Sequence, residues 1–184
     1  MQRICVFCGS QPGVNGAYLA AAREFGRLLA EQQIELVFGA GMTGIMGAVA
    51  DATLHAGGSV IGIIPDSMNI PKVVHENVSE LIVTPDMPSR KTKMIAMSDA
   101  FVALPGGFGT MDELFEVLTF SQLGYQPKPI GILNVANYYA PLIAFIDHAV
   151  KEGFINAHFR AIFTSHDESA ALLSALQHFE HPQQ

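Results

Sequence analysis

The sequence predicts an α/β protein with a doubly wound parallel sheet and helices on both faces. Short apolar runs alternate with stretches of helical spacing along the whole chain, which is the pattern of repeated strand–helix units. The apolar runs are hydrophobic throughout rather than alternating, as strands buried on both faces require. The length of 184 residues, with 49% hydrophobic and 15% charged residues, fits one domain with a sizeable core.

Seven strands and six helices are predicted in alternation. The strands are expected at residues 4–8, 36–38, 60–64, 81–83, 101–104 and 130–133, with a weaker one at 161–163. The helices are expected at residues 17–32, 44–56, 89–97, 110–123, 138–152 and 167–177. Residues 66–77 are irregular and are expected to form a flap or a short extra helix. One domain is predicted over residues 1–184, with residues 178–184 as a tail that frays.

Composition and charge exclude several classes of protein. Ten Lys and Arg against 17 Asp and Glu give a net charge of −7, so a nucleic-acid partner is not expected. The longest uncharged stretch, residues 129–146, contains Asn134, Asn137 and Pro141 and is interpreted as strand, turn and helix, so no membrane span is predicted. The first apolar run is too short for a signal peptide, and a cytoplasmic protein is expected. A mean hydropathy of +0.30 is attributed in part to a buried subunit interface.

Cys5 and Cys8 form a C-x-x-C motif, which is interpreted as two core residues. In a redox site this motif opens a helix, whereas here it lies in an apolar run that ends at Gly9. Residues three apart on a strand point to opposite faces and lie roughly 10 Å apart, too far for a disulfide. Two buried thiols are therefore expected.

The strongest functional signal is the string Leu-Pro-Gly-Gly-Phe-Gly-Thr-Met-Asp-Glu at residues 104–113. It follows an apolar run and opens a predicted helix. Gly106, Gly107 and Gly109 allow the backbone to approach a ligand, and the free N–H groups of the first helical turn face an anion. Thr110 is predicted to cap the helix or to bond a phosphate oxygen. The structural alternative is a tight turn with a capping threonine.

Glu113 lies one turn into this helix, with Glu116 on the same face three residues later. A carboxylate beside an anion-binding turn suits a part of the ligand where positive charge develops or a water is activated. Asp112 lies about 100° round the helix from Glu113 and is expected to be solvated.

Three of the ten basic residues fall at Arg90, Lys91 and Lys93. Basic residues in a first helical turn oppose the helix dipole, so an anionic ligand or a nearby carboxylate is expected at Arg90. For Lys91 a ligand contact and a solvated position are weighed equally, and Lys93 is expected on a solvated face. Ser89 is predicted as the N-cap.

Two further loops follow predicted strands, at the sheet edge where doubly wound proteins bind ligands. Gly39-Ala40-Gly41-x-x-Gly44 matches a dinucleotide fingerprint, but no acidic residue about twenty positions on is placed for a ribose. A phosphate or nucleotide contact by Gly41 and Gly44 is therefore predicted, rather than NAD binding. Ser10 either lines the same cleft or belongs to a plain loop.

The sequence resembles the Lonely Guy (LOG) family in two spaced motifs. These are Met-x-x-Arg-Lys at residues 87–91 and Pro-Gly-Gly-x-Gly-Thr-x-x-Glu at residues 105–113. Cys-Val-Phe-Cys-Gly-Ser at residues 5–10, the loop at 39–47 and Gln-Leu-Gly at 122–124 also fit, so the resemblance covers residues 3–176. Members are cytokinin-activating phosphoribohydrolases, often labelled lysine decarboxylases. The resemblance implies a Rossmann-like fold, a homodimer or larger homo-oligomer, no cofactor and no metal.

The resemblance also implies a reaction and the residues that perform it. The substrate would be AMP or an N6-prenyl-AMP, cleaved at the N-glycosidic bond to the free base and ribose 5-phosphate. The implied catalytic pair is Arg90 and Glu113. The implied nucleotide contacts are Lys91, Gly107, Gly109, Thr110 and Thr119. Ala40 stands where many members have a third glycine, and Pro88 where many have histidine, and both are expected beside the cleft, where they could alter the substrate fit.

Three other functions stay open at this point. One is a carrier that binds a nucleotide or the molybdenum cofactor without turnover. Another is a pyridoxal-phosphate decarboxylase, which needs a Schiff-base lysine, and Lys91 and Lys93 are the lysines expected near the cleft. The third is a plain AMP nucleosidase that ignores N6-modified substrates. The seven histidines show metal-ligand spacing only at His178 and His181, so no metal site is predicted.

Overall fold

The computed structural model describes residues 1–182 and contains one seven-stranded parallel sheet. The strands are β1 (Arg3–Phe7), β2 (Glu35–Phe38), β3 (Val60–Pro65), β4 (Glu80–Thr84), β5 (Ala100–Ala103), β6 (Ile130–Leu133) and β7 (Phe163–His166). The helices are α1 (Gly16–Glu31), α2 (Gly44–His55), α3 (Met87–Met97), α4 (Phe108–Gln122), α5 (Ala140–Lys151) and α6 (Ser169–Gln177). Within the described chain, no helix is long and apolar enough to cross a membrane.

The strand order is β4-β3-β2-β1-β5-β6-β7, with every neighbouring pair parallel. Helices α1, α2 and α6 cover one face, and α3, α4 and α5 cover the other. The predicted fold class is therefore confirmed. Because the chain runs outward from β1 in both directions, the order reverses between β1 and β5, which is where such sheets open a ligand crevice.

The two cysteines lie on opposite faces of the sheet, as predicted. Cys5 belongs to the core under α3, α4 and α5, and Cys8 to the core under α1, α2 and α6. Both are buried and free. Burial raises the pKa of each thiol well above its usual range, so neither has the thiolate character of a redox cysteine.

One strand lies later in the chain than predicted, and another lies where it was predicted but is less buried than its sequence indicates. The seventh strand is Phe163–His166 rather than residues 161–163, because Ala157–Ile162 forms a 3₁₀ helix that buries Ile162. The run at residues 81–83 is apolar but lies at the sheet edge, and Leu81 and Val83 are 39% and 45% exposed. The sequence of β4 indicates burial on both faces, but the face that carries Leu81 and Val83 is partly exposed.

Residues 66–77 and the predicted tail each contact the rest of the domain. Residues 66–77 contain the short 3₁₀ helix Asp66–Met68, and Gly41 forms an antiparallel bridge to Val74. In the predicted tail, His181 Nε2 lies 2.7 Å from Ser121 Oγ on α4. Residues 183–184 of that tail lie outside the described residues.

Candidate active site

A cleft of about 370 Å³ lies at the carboxyl ends of four neighbouring strands, β3, β2, β1 and β5. Seven of the predicted site residues line it: Ser10, Gly41, Arg90, Gly107, Gly109, Thr110 and Glu113. They come from the loops after β1, β2 and β5 and from helices α3 and α4. The cleft therefore lies at the sheet edge that the strand pattern indicates for a ligand.

The centre of the cleft holds a buried ion pair between Arg90 and Glu113. Arg90 Nη1 lies 3.0 Å from Glu113 Oε1, and the two side chains are only 12% and 11% exposed. Arg90 Nε donates to the Ile63 carbonyl oxygen at 3.1 Å, and Nη1 lies 3.2 Å from Met87 Sδ. These partners fix the guanidinium plane in one orientation, which a planar fork of donors favours.

Gly39 provides the space that the Arg90 guanidinium occupies. A Cβ atom at Gly39 would lie 1.8 Å from Arg90 Nη2, closer than any non-bonded contact. Sequence reasoning interpreted this glycine only as part of a loop fingerprint and did not connect it with Arg90, because the two are 51 positions apart.

Helix α3 presents Arg90 from its first turn, and its start differs from the prediction. Asp86 is the N-cap, and its side chain accepts from the Ser89 N–H at 2.8 Å. Ser89 as the N-cap was therefore wrong. Pro88 occupies the first turn, a position that proline favours because the N–H it lacks would have no partner there.

The glycine-rich turn is held against the first strand's loop. Gly9 N–H donates to the Pro105 carbonyl oxygen at 3.0 Å, and a Cβ on Gly106 would lie 2.7 Å from Gly9 N and 2.1 Å from Thr110 Oγ1. Gly107, not Thr110, is the N-cap of α4, so the capping role predicted for Thr110 was wrong. The first N–H groups of α4 open on the cleft without intrahelical partners.

Two tyrosines support this turn from behind, and no sequence motif indicated them. Tyr138 OH donates to the Gly106 carbonyl oxygen at 2.5 Å, and Tyr139 OH donates to that of Leu104 at 2.7 Å. Gly106 itself lines a neighbouring hollow of about 280 Å³ rather than the cleft. The turn whose N–H groups open on the cleft is thus held on both sides.

Lys91 and Thr119 lie away from the cleft. Both line a separate surface hollow on the outer side of α4. Lys91 Nζ lies 3.0 Å from Asp112 Oδ2 and 3.2 Å from Glu116 Oε2, so the predicted solvated Asp112 is exposed but paired. Burial opposes the charge of Lys91, but these hydrogen bonds outweigh it and raise its pKa. Neither residue reaches the cleft within one chain.

Three other residues of the fingerprint loop and of α3 also lie outside the cleft lining. Gly44 opens α2 with a φ of 63°, and a Cβ there would lie 2.4 Å from the Ser10 carbonyl. Ala40 is buried with a φ of 57° and packs against Ile64 and Val74. Like Pro88, it does not line the cleft. A glycine would adopt the left-handed backbone of residue 40 at lower cost.

The cleft wall beyond β3 was missed by sequence reasoning. Met68, Lys72 and Val73 line it, and Lys72 has a φ of 68°. The expectation that Lys91 and Lys93 are the lysines near the cleft was therefore wrong. Short irregular segments carry no periodic signal, so their side chains cannot be assigned to a face from sequence. Among residues 1–182, no group of three or more His, Cys, Asp or Glu is placed to hold a metal ion.

Comparison with known proteins identifies the family. The profile described as "Possible lysine decarboxylase" matches residues 46–176. Cytokinin riboside 5′-monophosphate phosphoribohydrolase LOG7 of Arabidopsis thaliana is 45% identical over 179 residues, which are 97% of this chain and 82% of the relative. LOG1 of the same plant is 45% identical, covering 97% and 84% of the two chains. This chain belongs to the LOG family.

Solved structures agree on the fold of this LOG-family chain. The molybdenum cofactor carrier protein of Chlamydomonas reinhardtii superposes with a TM-score of 0.73 at 21% identity, covering 97% of each chain. A structural genomics target, TM1055, gives a TM-score of 0.74 at 21% identity, covering 97% of this chain and 99% of the other. At this identity the likeness shows a shared Rossmann-like fold and nothing of function.

Proposed function

We propose that this LOG-family chain is a phosphoribohydrolase that cleaves the N-glycosidic bond of adenosine 5′-monophosphates, N6-modified ones included. The products are the free base and ribose 5-phosphate, and with an N6-prenylated substrate the free base is an active cytokinin. The observation that carries the proposal is the buried Arg90–Glu113 pair. It lies in a cleft that is also lined by the glycine-rich N-terminus of α4. Relatives named for this activity, at 45% identity over 97% of the chain, support it.

The strand order suggests how the nucleotide lies. The N–H groups at the start of α4, with Ser10 beside them, suit the 5′-phosphate at the β5 and β1 end of the cleft. The base would then lie toward β2 and β3, which are two and three strand spacings of about 4.8 Å each from β5. Glu113 reaches from α4 to the Arg90 guanidinium, which lies by the ends of β2 and β3, so the sugar would lie beside Glu113. Binding energy from the phosphate would thus position the glycosidic bond at the ion pair.

The chemistry requires a carboxylate beside C1′ of the ribose. Departure of the base leaves an oxocarbenium-like sugar, which a negative carboxylate stabilises. Water adds to C1′ as the bond to the base breaks, the carboxylate accepts the proton of this water, and that proton ends on the base, so the free base leaves neutral. We assign both tasks to Glu113. Arg90 does not deprotonate in proteins and is no proton-transfer acid. Its bonds to Ile63 and Glu113 suit it to orient the carboxylate and to donate a hydrogen bond to the departing base.

The proposed role of Glu113 predicts an acid limb in the pH profile of activity. Burial raises the pKa of Glu113 above its ordinary value, and the Arg90 guanidinium opposes that rise. Because the carboxylate is the active form, kcat/KM should rise with pH through this raised pKa, above the ordinary value of about 4.3. Ribose 5-phosphate carries the same phosphate group, so the pH dependence of its inhibition constant is the control. An acid limb at or below the ordinary value would contradict this role.

The phosphate site predicts a large preference for monophosphates. The kcat/KM for AMP and for N6-isopentenyl-AMP should exceed that of the matching nucleosides by at least about a hundredfold, since charge-assisted bonds at a helix N-terminus are lost without the phosphate. Chromatographic detection of free base from the four compounds checks this. Equal rates with and without the phosphate would contradict the placement, and the ratio of the two monophosphates would separate a cytokinin-activating enzyme from a plain AMP nucleosidase.

We also propose a homodimer or larger homo-oligomer that uses the outer side of α4. Phe115 is 40% exposed there, and Lys91 and Thr119 lie in the same hollow. In such an oligomer, Lys91 and Thr119, which lie away from the cleft of their own chain, would contact the second copy. Sedimentation velocity of the purified chain tests this, and a monomer at micromolar concentration would contradict it.

The decarboxylase function is not favoured by the residues of the cleft. Lys72 is the lysine of its lining, and Glu113 is the lining carboxylate. Glu113 is already paired with Arg90, so it is not free to bond a pyridine nitrogen. The arrangement suits a developing cation beside a carboxylate better than a Schiff base.

A further inference from the structure

We propose that His75, a buried residue whose ring bonds the exposed carboxylate of Asp51, is a positioning residue for the base end of the cleft. The pair would hold residues 66–77 as a wall, and this wall would set the affinity for the base without affecting the phosphate end. This inference rests on the proposed function and adds to it a residue that determines binding at one end of the nucleotide.

His75 is 4% exposed and makes two side-chain hydrogen bonds. Its Nε2 lies 3.0 Å from Asp51 Oδ1 on α2, and its Nδ1 accepts from the Asn77 N–H at 3.4 Å. Because Nδ1 accepts, the neutral ring must carry its proton on Nε2, which then donates to Asp51. The imidazole therefore links the irregular segment to a helix on one face of the sheet.

The segment has few other anchors. His75 N–H donates to the Ala40 carbonyl oxygen at 2.8 Å, and Met42 N–H donates to that of Val73 at 3.0 Å. Val74 is the buried apolar side chain between them. Apart from one turn of 3₁₀ helix the segment has no regular structure, and Lys72 keeps a left-handed backbone. The His75 ring also meets the Phe38 ring edge-on, with centroids 6.3 Å apart. Segments with so few buried contacts open at low free energy, so each contact of His75, including its bond to Asp51, should matter for the position of the segment.

Residues 66–77 lie at the base end of the cleft, far from the turn proposed to bind the phosphate. Met68, Lys72 and Val73 line the cleft beyond β3 and β2, whereas the phosphate turn follows β5 on the other side of β1. Loosening the wall should therefore weaken the base end alone. A histidine that merely fills the core would instead lower stability and weaken every ligand alike.

The test uses equilibrium binding of the two products, so it does not depend on turnover. The variants are Asp51→Ala and His75→Leu, with His75→Gln as the conservative variant that keeps a donor near Nε2. His148→Ala, an exposed histidine on α5, is the matched control. Calorimetry would measure the Kd of N6-isopentenyladenine and of ribose 5-phosphate, and amide hydrogen exchange would follow residues 66–77 in the free protein.

In Asp51→Ala and His75→Leu, the Kd of the base should rise about tenfold, because binding must then also order the loosened wall. The Kd of ribose 5-phosphate should stay within about twofold, and exchange in residues 66–77 should quicken about tenfold. His75→Gln and His148→Ala should match the wild type. Equal weakening of both ligands, no weakening of either, or unchanged exchange in residues 66–77 would overturn the proposal. A wild type that binds both products but releases no base would refute the proposed function alone.

Discussion

Glu113→Gln is expected to lower kcat for base release about a thousandfold while the nucleotide still binds. The amide keeps the size of the side chain and an oxygen near Arg90, but it carries no negative charge and accepts no proton from water. Loss of a general base or of a fixed transition-state charge costs about a hundredfold to ten-thousandfold in rate. Single-turnover base release and calorimetric binding of AMP separate the two effects.

The matched control is Glu24→Gln, the same change on the exposed surface of α1, which should leave kcat within about twofold. If Glu113→Gln kept most of the wild-type kcat, the carboxylate would have no chemical role. If it bound no nucleotide and lost its thermal transition, the variant would report on folding, and Glu113→Asp would then be the variant to measure. That change keeps the charge, moves it by one methylene and should retain part of the activity.

Gly39→Ala is expected to lower kcat about a hundredfold, with a moderate loss of stability and a chain that still folds. The added methyl would lie 1.8 Å from Arg90 Nη2, so the guanidinium must move. Because Nη2 is at the far end of a side chain, the backbone can stay in place, but the movement takes Arg90 from Glu113 and costs some stability by separating a buried ion pair. A misplacement of about 1 Å near the reacting atoms costs about that factor in rate.

Gly16→Ala provides the comparison, because a Cβ at Gly16 meets nothing within 4 Å. It should leave both kcat and the thermal midpoint close to wild type. Gly39→Ala with unchanged kcat would show that the observed position of Arg90 is not needed. A large fall in the thermal midpoint would show instead that the loop itself cannot accept a methyl group.

The parts of the site that sequence predicts are those tied to the ends of strands. The string at residues 104–113 follows an apolar run, so its place at the carboxyl edge of the sheet follows from the strand–helix pattern. Arg90 carries an unfavourable charge in a first turn, which indicates a partner, and the structure supplies Glu113. In both cases local physical chemistry points to a neighbour that the fold then brings close.

Other parts depend on tertiary geometry that the sequence does not encode locally. Thr119 follows Glu113 by six residues, which is about 240° round a helix, so the two cannot face one cleft. The resemblance placed them together, and the structure places Thr119 outside. Residues 66–77 have no hydrophobic periodicity. Only the structure therefore shows that Lys72 lines the cleft and that His75 is buried.

The most direct test of the proposed reaction is product analysis of purified wild-type protein incubated with N6-isopentenyl-AMP. Chromatography and mass spectrometry would identify the base-containing and the sugar-containing product, with Glu113→Gln run in parallel. The geometry predicts free N6-isopentenyladenine and ribose 5-phosphate in equal amounts, at a rate that the variant lowers about a thousandfold. Release of the nucleoside with inorganic phosphate, or bound nucleotide that never reacts, would contradict it.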